Sequence, residues 1–132
     1  MARAFKNDGT PLSSEILLTK QLSGLPSVAA QGNADITVTS DGSVVVVYED
    51  AEGDASGGSI QLLQLTPSLD AIDTARRVNE NEIPGTQRRP RVAAAFDPFG
   101  TPWVLVTFED VDQNGPGTTA GFVRPVILRR LP

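Results

Sequence analysis

The sequence predicts an all-β protein built from a repeated unit. Short runs of β-branched and other apolar residues alternate with Gly, Asp, Asn and Pro, which is typical of strands and turns, and no helical periodicity is present. Two stretches also repeat the same pattern. Each begins at a glutamine, Gln31 or Gln87, and ends in an aromatic residue followed by Glu-Asp, at 48–50 and 108–110. We therefore read the chain as copies of one small β unit.

The repeat predicts four strands per unit, which we label a to d in chain order. The predicted ranges are 36–39 and 92–96 for strand a, 44–48 and 103–108 for strand b, 60–65 and 126–131 for strand c, and 74–79 for strand d. Turn residues at 40–43 and 97–100 join strands a and b into hairpins.

The N-terminal residues follow the same pattern. Residues 5–12 align with residues 65–72, an offset of 65 − 5 = 60. We therefore predict a single β-repeat domain over residues 1–132, with units at about 31–79 and 87–131 and a partial unit at 2–19.

Composition excludes several classes of function. The chain has 132 residues and a formal net charge of −5, which disfavours binding to phosphate backbones, so no nucleic-acid partner is expected. It contains neither cysteine nor histidine, which removes the usual thiol, zinc and Ser-His-Asp chemistry, and we expect no enzyme activity. No run approaches a signal peptide or the ~18 apolar residues of a membrane span. We expect a cytoplasmic protein without a membrane partner.

The motifs resemble a known group of repeats. Gln87-Arg-Arg-Pro-Arg-Val-Ala93, a Gly turn, an apolar strand ending in an aromatic residue and an acid, and Phe5-Lys-Asn-Asp-Gly-Thr-Pro-Leu12 are similar to the blade repeats of bacterial β-propellers, the broad sialidase-like group. The likeness covers nearly the whole chain and implies fold more than activity. Ser40-Asp-Gly-Ser43 departs from the Asp-box of that group, and no arginine triad is evident, so sialidase catalysis is not implied.

About two four-stranded blades cannot close a ring alone, because closed propellers have about four to eight blades. We therefore expect a homo-oligomer, a dimer or trimer, that completes the propeller. This organisation resembles small oligomeric propeller lectins with two blades per subunit. The alternative architecture is a monomeric β-sandwich of two packed sheets.

An arginine cluster is the first candidate ligand site. Arg88, Arg89 and Arg91 fall within four positions of an acidic protein, whereas the matching stretch of the first copy, 32–35, contains no arginine. Guanidinium groups bind carboxylates through a planar fork, which suits an acidic peptide. Pairing with acids such as Glu80, Glu82 and Glu109 across neighbouring strands is the structural alternative.

Trp103 and an acidic loop are the other candidates. Trp103 is the only tryptophan, and it could bind a ligand or pack within its strand. Asp110, Asp112 and Asn114 place oxygen atoms at alternate positions, as at the start of a calcium loop, although Gly121 stands where the closing glutamate belongs. Calcium is therefore the only cofactor that the sequence suggests.

These features together predict a non-catalytic binding protein. Because arginines are plentiful and aromatic residues are few, we expect a peptide or protein segment as ligand, with a carbohydrate-binding lectin as the alternative. Exposed strand edges would also permit a peptide to add as an extra strand.

Overall fold

The prediction of an all-β protein is confirmed. The computed structural model describes residues 1–16, 30–54, 57–79, 85–96, 101–111 and 119–128. Over these residues it contains seven strands and no helix. The strands are β1 (Gln31–Val38), β2 (Val44–Asp54), β3 (Gly57–Leu65), β4 (Arg76–Arg77), β5 (Thr86–Phe96), β6 (Pro102–Val111) and β7 (Thr119–Ile127). A helix capable of crossing a membrane is likewise absent from the described ranges.

The strands form two antiparallel sheets, each built from consecutive strands. The first sheet has the order β1-β2-β3-β4 and the second has the order β5-β6-β7. The hairpin between β1 and β2 turns at residues 40–43, as predicted, and Gly42 adopts a left-handed φ of 86° there. The N–H of Thr39 donates to the carbonyl of Ser43 at 2.9 Å and closes the turn. The corresponding turn predicted at 97–100 lies outside the described residues.

The sequence repeat recurs in the backbone of the two sheets. The pairing of β1 with β2 shifts between Gly32 and Asp35, and the pairing of β5 with β6 shifts between Arg88 and Arg91. A residue with left-handed φ lies inside each bulge, Asn33 at 48° and Arg89 at 52°. Equivalent bulges therefore interrupt β1 and β5, the first strands of the two sheets, at matching positions.

The N-terminal residues reproduce the corner that follows β3. Phe5 pairs with Pro11 as Leu65 pairs with Ala71, which is the offset of 60 residues read from the sequence. The bridge between Ala2 and Ile16 matches the pairing of Leu62 with Arg76 at the same offset. Two backbone hydrogen bonds within each corner also correspond, from residues 6 to 10 and 9 to 6 in one and from 66 to 70 and 69 to 66 in the other. Residues 1–16 therefore form a partial copy of the first sheet.

Strand c of the second copy differs from its predicted position. We predicted residues 126–131, of which 129–131 lie outside the described residues, whereas β7 runs from Thr119 to Ile127 and pairs with β6 from Val111 onward. The start of β7 is poor in residues that favour strands, so its pairing with β6 determines its conformation there. Strand d is the two-residue β4, shorter than the predicted 74–79.

The main hydrophobic core lies between the two sheets. We call the side of each sheet that meets the other its inner face and the opposite side its outer face. The core combines buried side chains from both inner faces: Val45, Val47, Ile60, Leu62, Val104, Val106, Phe108 and Leu128. Each such side chain contributes about 1.5–3 kcal/mol through burial. The Arg76 guanidinium also donates to the Ile127 carbonyl at 2.5 Å, and this hydrogen bond joins β4 of the first sheet to β7 of the second.

The outer face of the first sheet carries a second apolar cluster, formed by Val44, Val46, Tyr48, Leu63, Leu65 and Leu69. Residues 1–16, which we call the N-terminal hairpin, pack against this cluster through Ala2, Ala4 and Ile16. Ile36 and Val38 of β1 lie on the same face but remain 57% and 59% exposed. The N-terminal hairpin therefore covers this face only in part.

The outer face of the second sheet is uncovered within the described part of the chain. Strand pairing places Leu105 between Ala93 and Pro125, and Thr107 between Arg91 and Val123. Val123 and Ile127 are 62% and 68% exposed. This sheet thus presents a largely apolar surface to solvent, which marks interaction sites in many proteins.

Candidate functional site

Arg88 and Arg89 pair with an acidic side chain of the neighbouring strand. The Nε of Arg88 lies 3.1 Å from Oε2 of Glu109, and Nη1 of Arg89 lies 3.3 Å from both Glu109 oxygens. Partial burial raises the pKa of Glu109, but hydrogen bonds and charges from Arg89 and Arg88 outweigh it, so that this pKa lies below its usual value. The geometry therefore corresponds to the cross-strand alternative for these two arginines.

Arg91 and Trp103 lie on the outer face of the second sheet. Arg91 is exposed, pairs with Thr107 across the strands, and donates from Nη1 to the Pro90 carbonyl at 2.9 Å. Trp103 is half-buried and lies between Ala95 and Ile127. The four strand positions from Thr107 to Trp103 correspond to about 13 Å. The structure does not bring the three arginines and Trp103 together into one compact site.

Asp110 lies in the core and not in a solvent-facing loop. It is fully buried, and its Oδ2 accepts a hydrogen bond from Nε2 of Gln87 at 3.2 Å. Asp112 and Asn114 lie outside the described residues. Within the ranges that the structure describes, no group of three or more acidic side chains is placed to hold a metal ion. The calcium site stays a prediction.

A buried polar network joins the two sheets, and sequence reasoning did not predict it. Oδ1 of Asn79 accepts from the Ile60 N–H, and its Nδ2 donates to Oε1 of Gln87, both at 2.9 Å. Nε2 of Gln87 also donates to the Gly85 carbonyl at 3.1 Å and to Asp110. The repeated glutamines were the available signal, because Gln31 donates to Asp50 at 3.2 Å in the first sheet as Gln87 does to Asp110 in the second.

Glu49 connects the bulges of the two sheets. Its Oε2 accepts from Nδ2 of Asn33 at 2.8 Å within the first sheet. Its Oε1 accepts from the backbone N–H of Arg89 in the second sheet. The residue with left-handed φ in the second bulge therefore donates its backbone N–H to a carboxylate from the preceding sheet.

A small pocket lies beside the first bulge. Its volume is about 220 Å³, and it is lined by Met1, Gln31, Gly32, Asn33, Ala34, Val46 and Tyr48. The Tyr48 hydroxyl is buried and has no hydrogen-bond partner among the described residues. A buried hydroxyl without a partner costs about 1–3 kcal/mol, which identifies the pocket as a place where a ligand group would be stabilising.

The pKa of this hydroxyl provides a direct test of the pocket. Burial, and secondarily the negative charge of Asp50, raise the pKa of Tyr48 to about 12. Because Tyr48 is the only tyrosine, we expect a single phenolate absorbance transition with a midpoint near pH 12 in the folded monomer at low protein concentration. The unfolded chain should titrate near its ordinary value of about 10.

The sign of the effect on stability follows from this shift. The folded pKa is the higher one, so the stabilisation is complete below about pH 10 and is lost as the pH rises through about 12. Circular dichroism at each pH would show that the fold persists during the titration. A native midpoint near 10 would mean that the hydroxyl is hydrated.

A larger cleft of about 490 Å³ opens where the two bulges meet. It is lined by Ala30, Gln31, Gly32, Glu49, Asp50, Ala51, Gly58, Thr86 and Gln87. Its described walls carry two carboxylates and no cationic side chain, so this cleft does not fit the acidic ligand expected from the arginine cluster.

No protein-family model, curated protein or solved structure shows significant similarity to this chain.

Proposed function

We propose that the protein is a non-catalytic binding protein, an oligomeric propeller-like β scaffold that binds a peptide or protein segment. Two observations support a propeller-like assembly. Each sheet consists of strands that follow one another in the chain, without the interleaved Greek-key order common in sandwiches. The two sheets also carry equivalent bulges and are packed face to face.

The observation that carries the proposal concerns two equivalent faces of the repeat. The inner face of the first sheet is buried, whereas the outer face of the second sheet, which corresponds to it, is exposed. With Asp110 equivalent to Asp50, Val45 and Val47 correspond to Leu105 and Thr107. The two valines are covered by the second sheet, whereas Leu105 and Thr107 lie on the uncovered outer face. A further sheet fits this outer face as the second sheet fits the first, and we assign that sheet to another copy of the chain.

The edge of β7 supports the peptide-binding part of the proposal. In the first sheet, β3 pairs with β4 through Gln61 with Arg77 and Leu62 with Arg76. Over the described residues, β7 pairs only with β6. An extended peptide could therefore add beside β7 as a fourth strand, with its main chain supplying the hydrogen bonds.

Sedimentation velocity at micromolar concentrations tests the assembly. We expect a dimer or trimer in place of a 14.0 kDa monomer. The single tryptophan provides a second signal, because burial of the outer face should shift Trp103 fluorescence to shorter wavelength. A monomer that persists throughout this concentration range would contradict the proposal.

A synthetic peptide with the sequence of residues 73–79 tests the β7 edge, since this segment contains the natural partner of β3. We expect saturable binding, followed by Trp103 fluorescence. The control peptide carries proline in place of the residue corresponding to Arg76, which removes one backbone N–H. Equal binding of the two peptides would argue against strand addition.

A further inference from the structure

The pocket beside Tyr48 has a filled counterpart in the second repeat. Arg89 corresponds to Asn33, since both have left-handed φ inside equivalent bulges. Phe108 corresponds to Tyr48, because each directly precedes the repeated Glu-Asp pair. In the second repeat, the Arg89 N–H donates to the Glu49 carboxylate. The equivalent corner of the first repeat is the pocket of about 220 Å³.

Glu109 is the counterpart of Glu49. Glu49 pairs with Gly32 across the strands, and Glu109 pairs with Arg88 at the equivalent position. Glu49 contacts both its own sheet and the next one, through Asn33 Nδ2 and the Arg89 N–H. The described contacts of Glu109 are with Arg88 and Arg89, both in its own sheet. Its contact to a following sheet is the one that the repeat leaves unfilled.

We propose that the Tyr48 pocket is a carboxylate-binding site, and that its occupant is Glu109 of a second copy of this chain. This inference rests on the proposed self-assembly and specifies its anchor. The Asn33 N–H would donate to the incoming carboxylate as the Arg89 N–H donates to Glu49. The Tyr48 hydroxyl adds a second donor that Phe108 cannot provide, which gives this buried group its partner.

The exposed apolar residues are placed to accompany this contact. Leu105 and Val123 accompany Glu109 on the outer face of the second sheet. Ile36 and Val38 are exposed on the outer face of the first sheet, which also carries Val46 and Tyr48. Ile36 corresponds to Val92, which packs against the core between the sheets within one chain. The intramolecular interface therefore provides the template for the intermolecular one.

The N-terminal hairpin shares this face with the incoming copy. Met1 forms part of the pocket wall, and Ala2 and Ala4 pack on the neighbouring cluster. Ala2 corresponds to Leu62 of β3, and hence lies near where β7 of a second copy would dock. Complete docking along β7 therefore requires residues 1–4 to shift, while β5 and β6 meet the exposed side at Ile36 and Val38.

The resulting contact is head-to-tail, since different faces of the two copies meet. Such an interface closes into a ring when the rotation between copies is suitable. One copy would contribute Glu109, and its neighbour would contribute Asn33 and Tyr48. Each copy uses both halves of the contact in a closed ring.

The test compares association constants from sedimentation equilibrium for the wild type and three variants. We expect Glu109→Gln to weaken association at least tenfold, because it removes the charge that the pocket receives, and Tyr48→Phe to weaken it about two- to tenfold. Asp70→Asn, at an exposed aspartate of the corner that follows β3, away from the first bulge, is the control and should associate like the wild type.

Phenolate titration adds a readout specific to the pocket. An inserted carboxylate should raise the pKa of Tyr48 further in the assembled wild type, and Glu109→Gln should remove that additional shift. If Glu109→Gln also unfolds the monomer, Tyr48→Phe, on the opposite side of the contact, decides the outcome. A wild type that stays monomeric overturns both the assembly and this inference. Assembly with wild-type affinity in both pocket variants overturns the inference alone.

Discussion

Replacing Asn79 by alanine is expected to destabilise the protein by about 2–6 kcal/mol. The change leaves two buried polar groups without their partner, the Ile60 N–H and Oε1 of Gln87, and each such group costs about 1–3 kcal/mol. Asn79 and Gln87 are almost completely buried, so water cannot easily replace the lost bonds. Because these bonds join the two sheets, their loss should weaken the whole domain.

Urea unfolding followed by circular dichroism at one fixed protein concentration measures this effect. The control is Asn7→Ala, at an exposed asparagine of the N-terminal turn, which should change the free energy of unfolding by less than about 0.5 kcal/mol. If Asn79→Ala unfolds at the same urea concentration as the control, the network contributes little to stability.

Gly85→Ala is expected to have an effect of similar size for a different reason. Gly85 has a φ of 109°, and a Cβ atom there would lie 2.1 Å from the Val111 carbonyl oxygen and 2.8 Å from Oδ1 of Asp110. The unfavourable φ costs about 1–2 kcal/mol and overpacking adds about 1–3 kcal/mol, so the total is about 2–5 kcal/mol.

Two further glycines separate these contributions. Gly9→Ala introduces a side chain at a φ of 83° with nothing within 4 Å, and therefore isolates the backbone cost. Gly121→Ala has open space and no left-handed φ, and should leave stability nearly unchanged. In thermal melting experiments, we expect the decrease in melting temperature to be largest for Gly85→Ala, smaller for Gly9→Ala and smallest for Gly121→Ala. A Gly85→Ala variant as stable as Gly9→Ala would show that the strand beside Val111 can move away.

The sequence predicted the parts of the fold that depend on local patterns. The glutamine anchors at 31 and 87, the turn at Gly42 and the offset of 60 in the N-terminal hairpin were all visible as repeated letters, because similar local sequences formed similar corners. The second strand c was placed too late in the chain, since Ala120 and Gly121 have little intrinsic strand preference and are extended by pairing with β6.

The candidate site was harder to predict because it depends on contacts between sheets. The arginine cluster was recognised, but the orientation of Arg88 and Arg89 toward Glu109 depends on the bulge in β5. The Tyr48 pocket has no sequence signature. Among the described residues, no carboxylate occupies this corner as Glu49 does in the second repeat, and only the packing of the sheets reveals this difference.

The order of the strands also has a consequence for synthesis of the chain. Every strand pairs with its neighbour in sequence, so the β1–β3 part of the first sheet can form as soon as residue 65 is available. In the second sheet, strand β6 is complete only at residue 111, which requires another 111 − 65 = 46 residues. At about 5–20 residues per second this takes roughly 2–9 seconds. During that interval the N-terminal hairpin can already shield part of the outer face of the nascent first sheet. Val45 and Val47 on its inner face remain exposed to solvent. Chaperone contact with the emerging chain is therefore expected to concentrate on that side.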